Sequence, residues 1–368
     1  MTHPSLILGV TGSLMASTAL SQASFLTLGT FANGGNTSHP TSISRDGSTV
    51  VGLAGTGGLA SSGAFRWTAD IGLQELPTVP DGTNFVGGGV SQTGRYITGS
   101  YSQNNGQGAM GFVWSETTGS VSVGALPGGK FTTRVGFITD DGLAVGVSAV
   151  GFTKFGANLF RAVKWTPQGG LQALPLPSPG DEQEQSNAFR VLPDGRIIGR
   201  SASGTWLYSE STGFEMLPNA DGMFYANDDA TFMAGETLRL GPRATYWTPQ
   251  TGPIELPTLI PDELSSVRGM NADGSVIIGE VASAGYVVWL DQGMPIPLID
   301  YAESFGIDMD GWTLLSVQDV SADGTRFVGS ARHSSWEGGR VEAYVLTIPA
   351  PGSIALLGLG CMVIRRRR

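Results

Sequence analysis

The chain repeats one short pattern seven times, and this internal repeat constrains the fold more than any other feature. Each copy is a turn sequence followed by two apolar residues and a glycine, as in SRDGSTVVG, NADGSVIIG and SADGTRFVG. The copies recur every 36 to 53 residues, and their closing glycines are Gly52, Gly99, Gly146, Gly199, Gly235, Gly279 and Gly329. A repeat of this length is typical of propellers and solenoids, in which copies of one small unit stack on each other.

Each repeat contains enough short apolar runs for four strands. Asp-Gly between such runs indicates a hairpin, and a type I′ turn predicts positive φ at Gly47, Gly274 and Gly324. A segment such as AFRWT and then a Leu-Pro dipeptide follow most of the turns. The pattern therefore predicts an all-β fold, a seven-bladed β-propeller of four-stranded antiparallel blades. We expect the recurring Trp and Phe to pack between blades rather than to stack on sugars.

The last repeat lacks its fourth strand. EAYVLT supplies a third strand, but Pro349 follows soon afterwards, whereas FLTLGTF at the other end of the chain has no repeat of its own. Pairing these two segments would complete the seventh blade and leave no long open edge. We therefore expect closure by pairing of the N- and C-terminal strands, with Leu26 and Val345 on adjacent antiparallel strands.

The two ends of the chain differ in composition from the repeats. Residues 1–23 lack charged side chains apart from His3, carry an apolar stretch and predict a signal peptide cleaved after Ala23. The repeat domain then spans 24–348, and 349–368 forms a sorting or membrane tail with an apolar run that is short for a bilayer span. The tail signal comprises Pro349, Ala350, Pro351, Arg365, Arg366, Arg367 and Arg368.

This tail resembles the PEP-CTERM sorting signal, which in that family is processed in the membrane by an exosortase. Ala350 stands where the family name implies Glu. The segments AFRWT, LQELPT and SADGTRFVG are similar to HAF extracellular repeats. These resemblances imply an exported protein of the cell surface or the extracellular space, tethered transiently or permanently to the membrane through its tail, with an exosortase-like protease as partner. Neither family supplies catalytic residues.

Charge and composition exclude several kinds of function. The formal net charge is −10 and lysines are few, so nucleic acid is a poor partner. The only cysteine, Cys361, lies in the tail, and only His39 and His333 remain beyond the signal peptide. Zinc sites and Cys/His nucleophile pairs therefore lack ligands, and we expect no cofactor and no metal.

Two groups of acidic residues resemble parts of known binding or catalytic sites. Asp308 and Asp310 precede Gly311 as in part of a calcium loop, but the later ligands are missing, which favours a solvated turn. The segment SPGDEQEQSN carries Asp181, Glu182 and Glu184, which we interpret as a solvated loop because like charges in one loop repel each other.

The sequence assigns no catalytic residues. We therefore expect a non-enzymatic binding or structural role, with extracellular polysaccharide or surface proteins as partners. The first alternative is a hydrolase or lyase acting on extracellular polysaccharide, with carboxylates among Glu303, Asp308, Asp310 and Asp319 in the long connection before the last unit. The second alternative is a passive component of the envelope or matrix.

Overall fold

Seven small sheets surround a common axis in the computed structural model, which confirms the predicted seven-bladed β-propeller. The structure describes residues 22–32, 34–55, 62–103, 108–128, 132–178, 180–238 and 241–349. The tail residues Ala350, Pro351 and Arg365 to Arg368 lie outside the described residues, as does most of the proposed signal peptide. Within the described ranges, no helix has the length and apolar character needed to cross a membrane.

The first four blades follow one another along the chain. In each blade the four antiparallel strands are arranged in chain order from the axis to the outside of the ring. Blade 1 contains β2 (Thr37–Ile43), β3 (Thr49–Gly55), β4 (Ser62–Thr68) and β5 (Gly72–Glu75). Blade 2 contains β6 (Gly82–Val90), β7 (Tyr96–Gln103), β8 (Ala109–Ser115) and β9 (Gly119–Ser122). Blade 3 contains β10 (Thr133–Ile138), β11 (Ala144–Phe152), β12 (Asn158–Thr166) and β13 (Gly170–Ala173). Blade 4 contains β14 (Ser186–Val191), β15 (Ile197–Ser201), β16 (Gly204–Ser209) and β17 (Gly213–Met216).

The remaining blades include the closure of the ring. Blade 5 contains β18 (Met223–Ala226), β19 (Met233–Leu238), β20 (Pro242–Thr248) and β21 (Gly252–Glu255). Blade 6 contains β22 (Ser265–Met270), β23 (Val276–Val281), β24 (Gly285–Leu290) and β25 (Ile296–Pro297), and the helix α1 (Leu298–Glu303) follows it. Blade 7 contains β26 (Trp312–Leu314), β27 (Asp319–Val320), β28 (Arg326–His333), β29 (Glu342–Thr347) and, as its outermost strand, β1 (Ser24–Thr27).

Blade 7 is completed from both ends of the chain, as the strand count predicts. The strand β1 pairs antiparallel with β29, and Leu26 lies directly opposite Val345. Phe25 of β1 stacks on Tyr344 with ring centroids 5.0 Å apart, so the added strand contributes side chains to the core as well as backbone hydrogen bonds. The inner edge of this blade differs from the others because its first strand is split into β26 and β27, which both pair with β28.

The closing glycine of each repeat lies inside the second strand of its blade. In six blades, a bulge in the first strand comes directly after the residue that pairs with this glycine. A methyl group on Gly146 would lie 1.9 Å from the Arg134 carbonyl oxygen, and one on Gly279 would lie 1.9 Å from the Ser266 carbonyl oxygen. The glycine is therefore required because the bulged backbone occupies the space that a side chain would fill.

The repeated aromatic residues pack between blades, as expected. Trp206, Trp247 and Trp289 are fully buried, and so are Phe65 and Phe112. The Leu-Pro dipeptides lie against these rings and join one blade to the next. The Trp247 indole N–H donates to the Pro218 carbonyl of the preceding blade (2.9 Å), and the Trp289 indole does the same to the Pro257 carbonyl (2.8 Å).

The Asp-Gly turns have the predicted glycine conformation but a different type. Gly47, Gly274 and Gly324 have φ of 73°, 79° and 71°. However, Asp46 is not among the residues with positive φ, and the Gly47 N–H donates to the Ser44 carbonyl (2.8 Å). The prediction of a type I′ turn is therefore wrong: each hairpin uses a four-residue turn closed by a glycine in the left-handed region.

The ring has two different faces. We call the face that carries the Asp-Gly turns the turn face. The opposite face carries the hairpins between second and third strands and the connections between blades, and we call it the loop face. Because Ser24 pairs with Thr347, and Thr347 pairs with Arg326 next to an Asp-Gly turn, both described ends of the chain lie at the turn face.

Candidate functional site in the axial channel

A cavity of about 350 Å³ lies on the axis of the ring and opens towards the turn face. Residues of all seven blades line it. Most of them come from the ends of the innermost strands, and many belong to a single position of the repeat, four residues before the turn aspartate or its equivalent. That position is occupied by Ser42, Gly89, Phe137, Arg190, Tyr225, Gly269 and Asp319. Six of these seven residues line the cavity, all except Gly269.

Among the described residues that line the cavity, Asp319 is the only acidic one. One of its carboxylate oxygens accepts hydrogen bonds from the Ser42 hydroxyl (2.7 Å) and the Ile43 N–H (3.1 Å), and the other accepts from the Val320 N–H (2.9 Å). Burial raises the pKa of Asp319, although these hydrogen bonds and the nearby Arg190 oppose the rise. A carboxyl group with a raised pKa is a stronger base once it has lost its proton.

Arg190 brings a positive charge into the same cavity. Its guanidinium lies over the Phe137 ring at 5.5 Å, and its Nε is buried without a hydrogen-bond partner in the part of the chain that the structure describes. Burial, and then the charge of Arg45, lowers the pKa of Arg190, yet a guanidinium remains protonated in proteins. A buried donor without an acceptor costs free energy, so an anionic ligand that accepts from it would gain a favourable contact.

Tyr225 supplies a neutral donor beside these two charges. Burial and then the charge of Asp319 raise the pKa of Tyr225 to about 12, so its phenol keeps its proton at neutral pH. The cavity therefore combines a cation, a protonated phenol and a carboxyl group that come from three different blades. Such convergence of perturbed titratable groups in a concave site is typical of catalytic and binding sites.

An ion pair lies near the entrance of the cavity. The Arg45 guanidinium of blade 1 donates to the Asp228 carboxylate of blade 5 at 2.5 Å. These blades are not neighbours in the ring, so the pair joins opposite parts of the turn face. Both side chains retain contact with solvent, and an exposed ion pair of this kind contributes little to stability.

Of the four carboxylates that the sequence offers for a polysaccharide-acting enzyme, only Asp319 reaches this cavity. Glu303 is exposed at the end of α1, and Asp308 and Asp310 are exposed in the following connection. The Asp308 carboxylate accepts the Asp310 N–H (3.0 Å), which is the local bond of a polar turn. Sequence reasoning missed Arg190 and Tyr225, although the variable position of the repeat marks both.

Comparison with solved structures shows which known proteins share this ring. An oligogalacturonate lyase from Vibrio parahaemolyticus matches with a TM-score of 0.54 and 13% identity over 89% of this chain and 99% of its own. An oligogalacturonate lyase in complex with manganese matches with a TM-score of 0.50 and 14% identity over 90% of this chain and 99% of its own. Prolyl oligopeptidase B from Galerina marginata matches with a TM-score of 0.51 and 11% identity, over 90% of this chain and 52% of that protein. At these identities the likeness concerns the fold.

No protein-family model and no curated protein matches the chain by sequence. The structural matches nevertheless correct the expectation of a non-enzymatic binding or structural role, because in the two lyases the ring makes up almost the whole enzyme. The physical reason for the correction is the axial cavity, whose charged and titratable groups come together only when the ring closes.

The manganese in one matched structure raises the question of a similar site in this chain. Among the described residues, no three His, Cys, Asp or Glu side chains are grouped so that they could hold a metal ion. His39 and His333 are not among the residues that line the axial cavity. The described residues therefore do not fit a manganese centre.

Proposed function

We propose that this protein is an exported enzyme that cleaves an acidic oligosaccharide or polysaccharide by β-elimination. The observation that carries the proposal is the grouping of Arg190, Tyr225 and Asp319 in one cavity on the axis. The fold shared with oligogalacturonate lyases supports it. Hydrolysis fits the cavity less well, because glycosidases use two carboxylates and, in the part of the chain that the structure describes, Asp319 is the only carboxylate that lines it.

Each group has a role in such a reaction. Arg190 would bind the carboxylate of a uronate unit and offset the negative charge that develops next to it. Asp319 would take the proton from the carbon beside that carboxylate, and the electron pair left behind would form the new carbon–carbon double bond. The bond to the glycosidic oxygen would break, and that oxygen would receive the Tyr225 proton. Transfer of the proton from Asp319 back to Tyr225 through water would restore the site.

For the location of the protein, we propose the export that the sequence predicts. Cleavage after Ala23 would leave β1 intact, since that strand begins at Ser24. Pro349 follows Ile348, whose N–H donates to the Thr325 carbonyl of a turn (2.7 Å). A PEP-CTERM-like tail with an exosortase-like partner would therefore hold the ring by its turn face and direct the loop face away from the membrane.

The test is turnover by the purified full-length chain on a panel of glycans. Polygalacturonate and alginate supply uronates, and a neutral glucan supplies none. We expect ultraviolet absorbance from unsaturated products with a uronate polymer only, and a large loss of it in Tyr225→Phe. Tyr96→Phe, in β7 and not among the residues that line the cavity, is the matched control. New reducing ends without unsaturation would indicate hydrolysis, and no turnover on any uronate would reject the proposal.

A further inference from the structure

A second concave region lies on the loop face, on the other side of the ring from the axial cavity. This groove has a volume of about 770 Å³ and is formed by blades 3, 4 and 5. Its lining includes aromatic, cationic, acidic and amide side chains. Among them are Arg134, Phe160, Asp181, Gln183, Glu184, Asn187, Phe189, Arg200 and Phe224.

Aromatic rings form the apolar part of the groove. Phe189 and Phe224 contact each other edge to face, with centroids 5.6 Å apart and an interplanar angle of 74°. Phe224 is 43% exposed, which is unusual for a ring in the innermost strand of a propeller blade. An exposed aromatic face in a groove offers a surface on which the apolar face of a sugar ring can pack.

Two arginines and two acidic residues line the groove, but the acidic side chains are bonded within their own loop: the Asp181 carboxylate accepts the Gln183 N–H (3.0 Å), and the Glu184 carboxylate accepts the Ser178 N–H (3.1 Å). Arg134 is exposed, and within the described ranges it makes no ion pair and no side-chain hydrogen bond. Arg200 lies 3.8 Å from Asp221, and both side chains are more than half exposed, so this ion pair is weak. Both guanidinium groups therefore retain donors for an anion.

One wall of the groove is held rigidly. The sequence suggests that the loop with Asp181, Glu182 and Glu184 is a solvated excursion, but Glu184 is only 3% exposed. The Glu184 carboxylate accepts the Ser178 N–H (3.1 Å) and the Ser203 hydroxyl (3.1 Å). These contacts fix the loop in place, and the interpretation of a freely solvated loop is wrong for Glu184.

Backbone contacts complete this wall. The Arg161 guanidinium donates to the carbonyls of Glu182 (2.6 Å) and Glu184 (2.5 Å). The Lys154 N–H, in the hairpin between β11 and β12, donates to the Gln183 side chain (3.0 Å). A groove with fixed walls loses little conformational entropy when a ligand binds.

We infer that this groove binds a segment of an acidic glycan chain, with uronate carboxylates on Arg134 and Arg200 and a sugar ring against Phe224. The assignment rests on the proposed function for the substrate class, but it concerns a different site. The residues that follow the two groove phenylalanines in sequence, Arg190 and Tyr225, line the axial cavity. The same two strands, in blades 4 and 5, thus contribute to both regions, which lie on opposite sides of the ring.

The experiment measures the affinity of the full-length chain for uronate oligomers by calorimetry, in a Tyr225→Phe background so that the ligand stays intact. Arg134→Gln and Phe224→Ala should each weaken binding by about tenfold or more. Arg134→Gln should also make the affinity depend less on salt concentration. Arg332→Gln is the matched control, because Arg332 is an exposed arginine near the loop-face end of β28 in blade 7, remote from the groove.

Each outcome decides the inference. Weaker binding in both groove variants, with Arg332→Gln unchanged, supports it even if no glycan is cleaved, in which case only the proposed function fails. Unchanged affinity in both groove variants overturns the inference, even if turnover is normal. Equal affinity for a neutral glucan, or binding only to an added protein, would also overturn it, because neither needs the two arginines to bind uronates. Thermal unfolding of each variant identifies any that has lost its fold, and the lysine variant Arg134→Lys then replaces it.

Discussion

The pKa values of the turn aspartates are lowered, whereas the pKa of Asp319, in the axial cavity, is raised. Hydrogen bonds dominate at the turns: burial raises the pKa of Asp323, but bonds from Ser321 and Thr325 outweigh it, so the net shift is downwards. For Asp273, the Ser275 hydroxyl is the largest cause of a lowered pKa. In the channel, burial outweighs the hydrogen bonds, and the pKa of Asp319 is raised.

This difference separates the part of the molecule that holds the ring together from the part that can do chemistry. A turn aspartate is stabilised as a charged group, and its bonds are local, as in the Asp323 contacts with Ser321 (2.6 Å) and the Thr325 N–H (3.0 Å). Asp319 instead joins blade 7 to blade 1 and faces a cavity that also holds Arg190 and Tyr225. Repeat positions that keep the same residue type thus build the scaffold. The variable position, four residues before the turn aspartate, supplies the residues of the site.

The largest expected effect is on turnover. Asp319→Asn should reduce kcat/KM by about a hundredfold or more, because an amide cannot accept the substrate proton. Asp323→Asn, four residues away in the turn, should leave kcat/KM unchanged when assayed below its melting temperature. Steady-state kinetics of both variants make the comparison, and equal losses in the two would break the distinction between channel and turn.

Arginines provide a second pair for the same comparison. Arg190→Gln should raise KM by about tenfold or more, since a charge-assisted contact to the substrate carboxylate is lost. Arg196 lies at the turn face, where its guanidinium donates to Asp194 (2.6 Å) within the same turn. Arg196→Gln should leave KM unchanged. An effect of Arg196→Gln as large as that of Arg190→Gln would mean that general surface charge, rather than the cavity, governs binding.

The dependence of stability on pH should have opposite signs at the two sites. The lowered pKa of Asp323 gives stability that is present above about pH 4 and lost as pH falls through its folded value. The raised pKa of Asp319 works in the reverse direction, because its ionisation costs stability as pH rises from about 4 through its folded value. Relative to the wild type, Asp323→Asn should therefore become more destabilising with rising pH, and Asp319→Asn less so. Urea unfolding at several pH values measures both trends, and trends of the same sign would contradict the assignment.

The smallest effects concern two glycines. Gly324 closes a turn at φ 71°, and a methyl group there would also lie 2.8 Å from Val276, so Gly324→Ala should cost about 1 kcal/mol or more. Gly136 lines the channel, and nothing lies within 4 Å of the position that a methyl group would take. Gly136→Ala should therefore change the free energy of unfolding very little. Denaturant melts of the two variants test this pair, and a cost for Gly136→Ala as large as that for Gly324→Ala would refute it.

Most of the fold could be predicted from the sequence because its determinants are local and repeated. The Asp-Gly turns, the recurring segments such as AFRWT and the missing fourth strand of the last unit were sufficient to predict seven blades and the pairing of Leu26 with Val345. The type of turn could not be deduced, because Asp-Gly is compatible with more than one hairpin geometry.

The site was harder to predict because its residues are far apart in sequence. The search for two carboxylates led to the long connection with Glu303, Asp308 and Asp310, where the side chains are exposed. Arg190, Tyr225 and Asp319 share a position of the repeat but not a residue type. A comparison of the seven units for the position that varies most in chemistry, next to positions that hardly vary, could have found them.

The pairing of β1 with β29 also fixes the order in which this molecule can fold. The first strand of the domain finds its partner only when nearly the whole chain has been synthesised, so closure needs a contact of very large sequence separation. Blades 1 to 6 can form from consecutive residues as they appear, whereas blade 7 must wait for the last strand. The axial cavity, where Asp319 of blade 7 accepts a hydrogen bond from Ser42 of blade 1, likewise needs a contact between the first and the last blade.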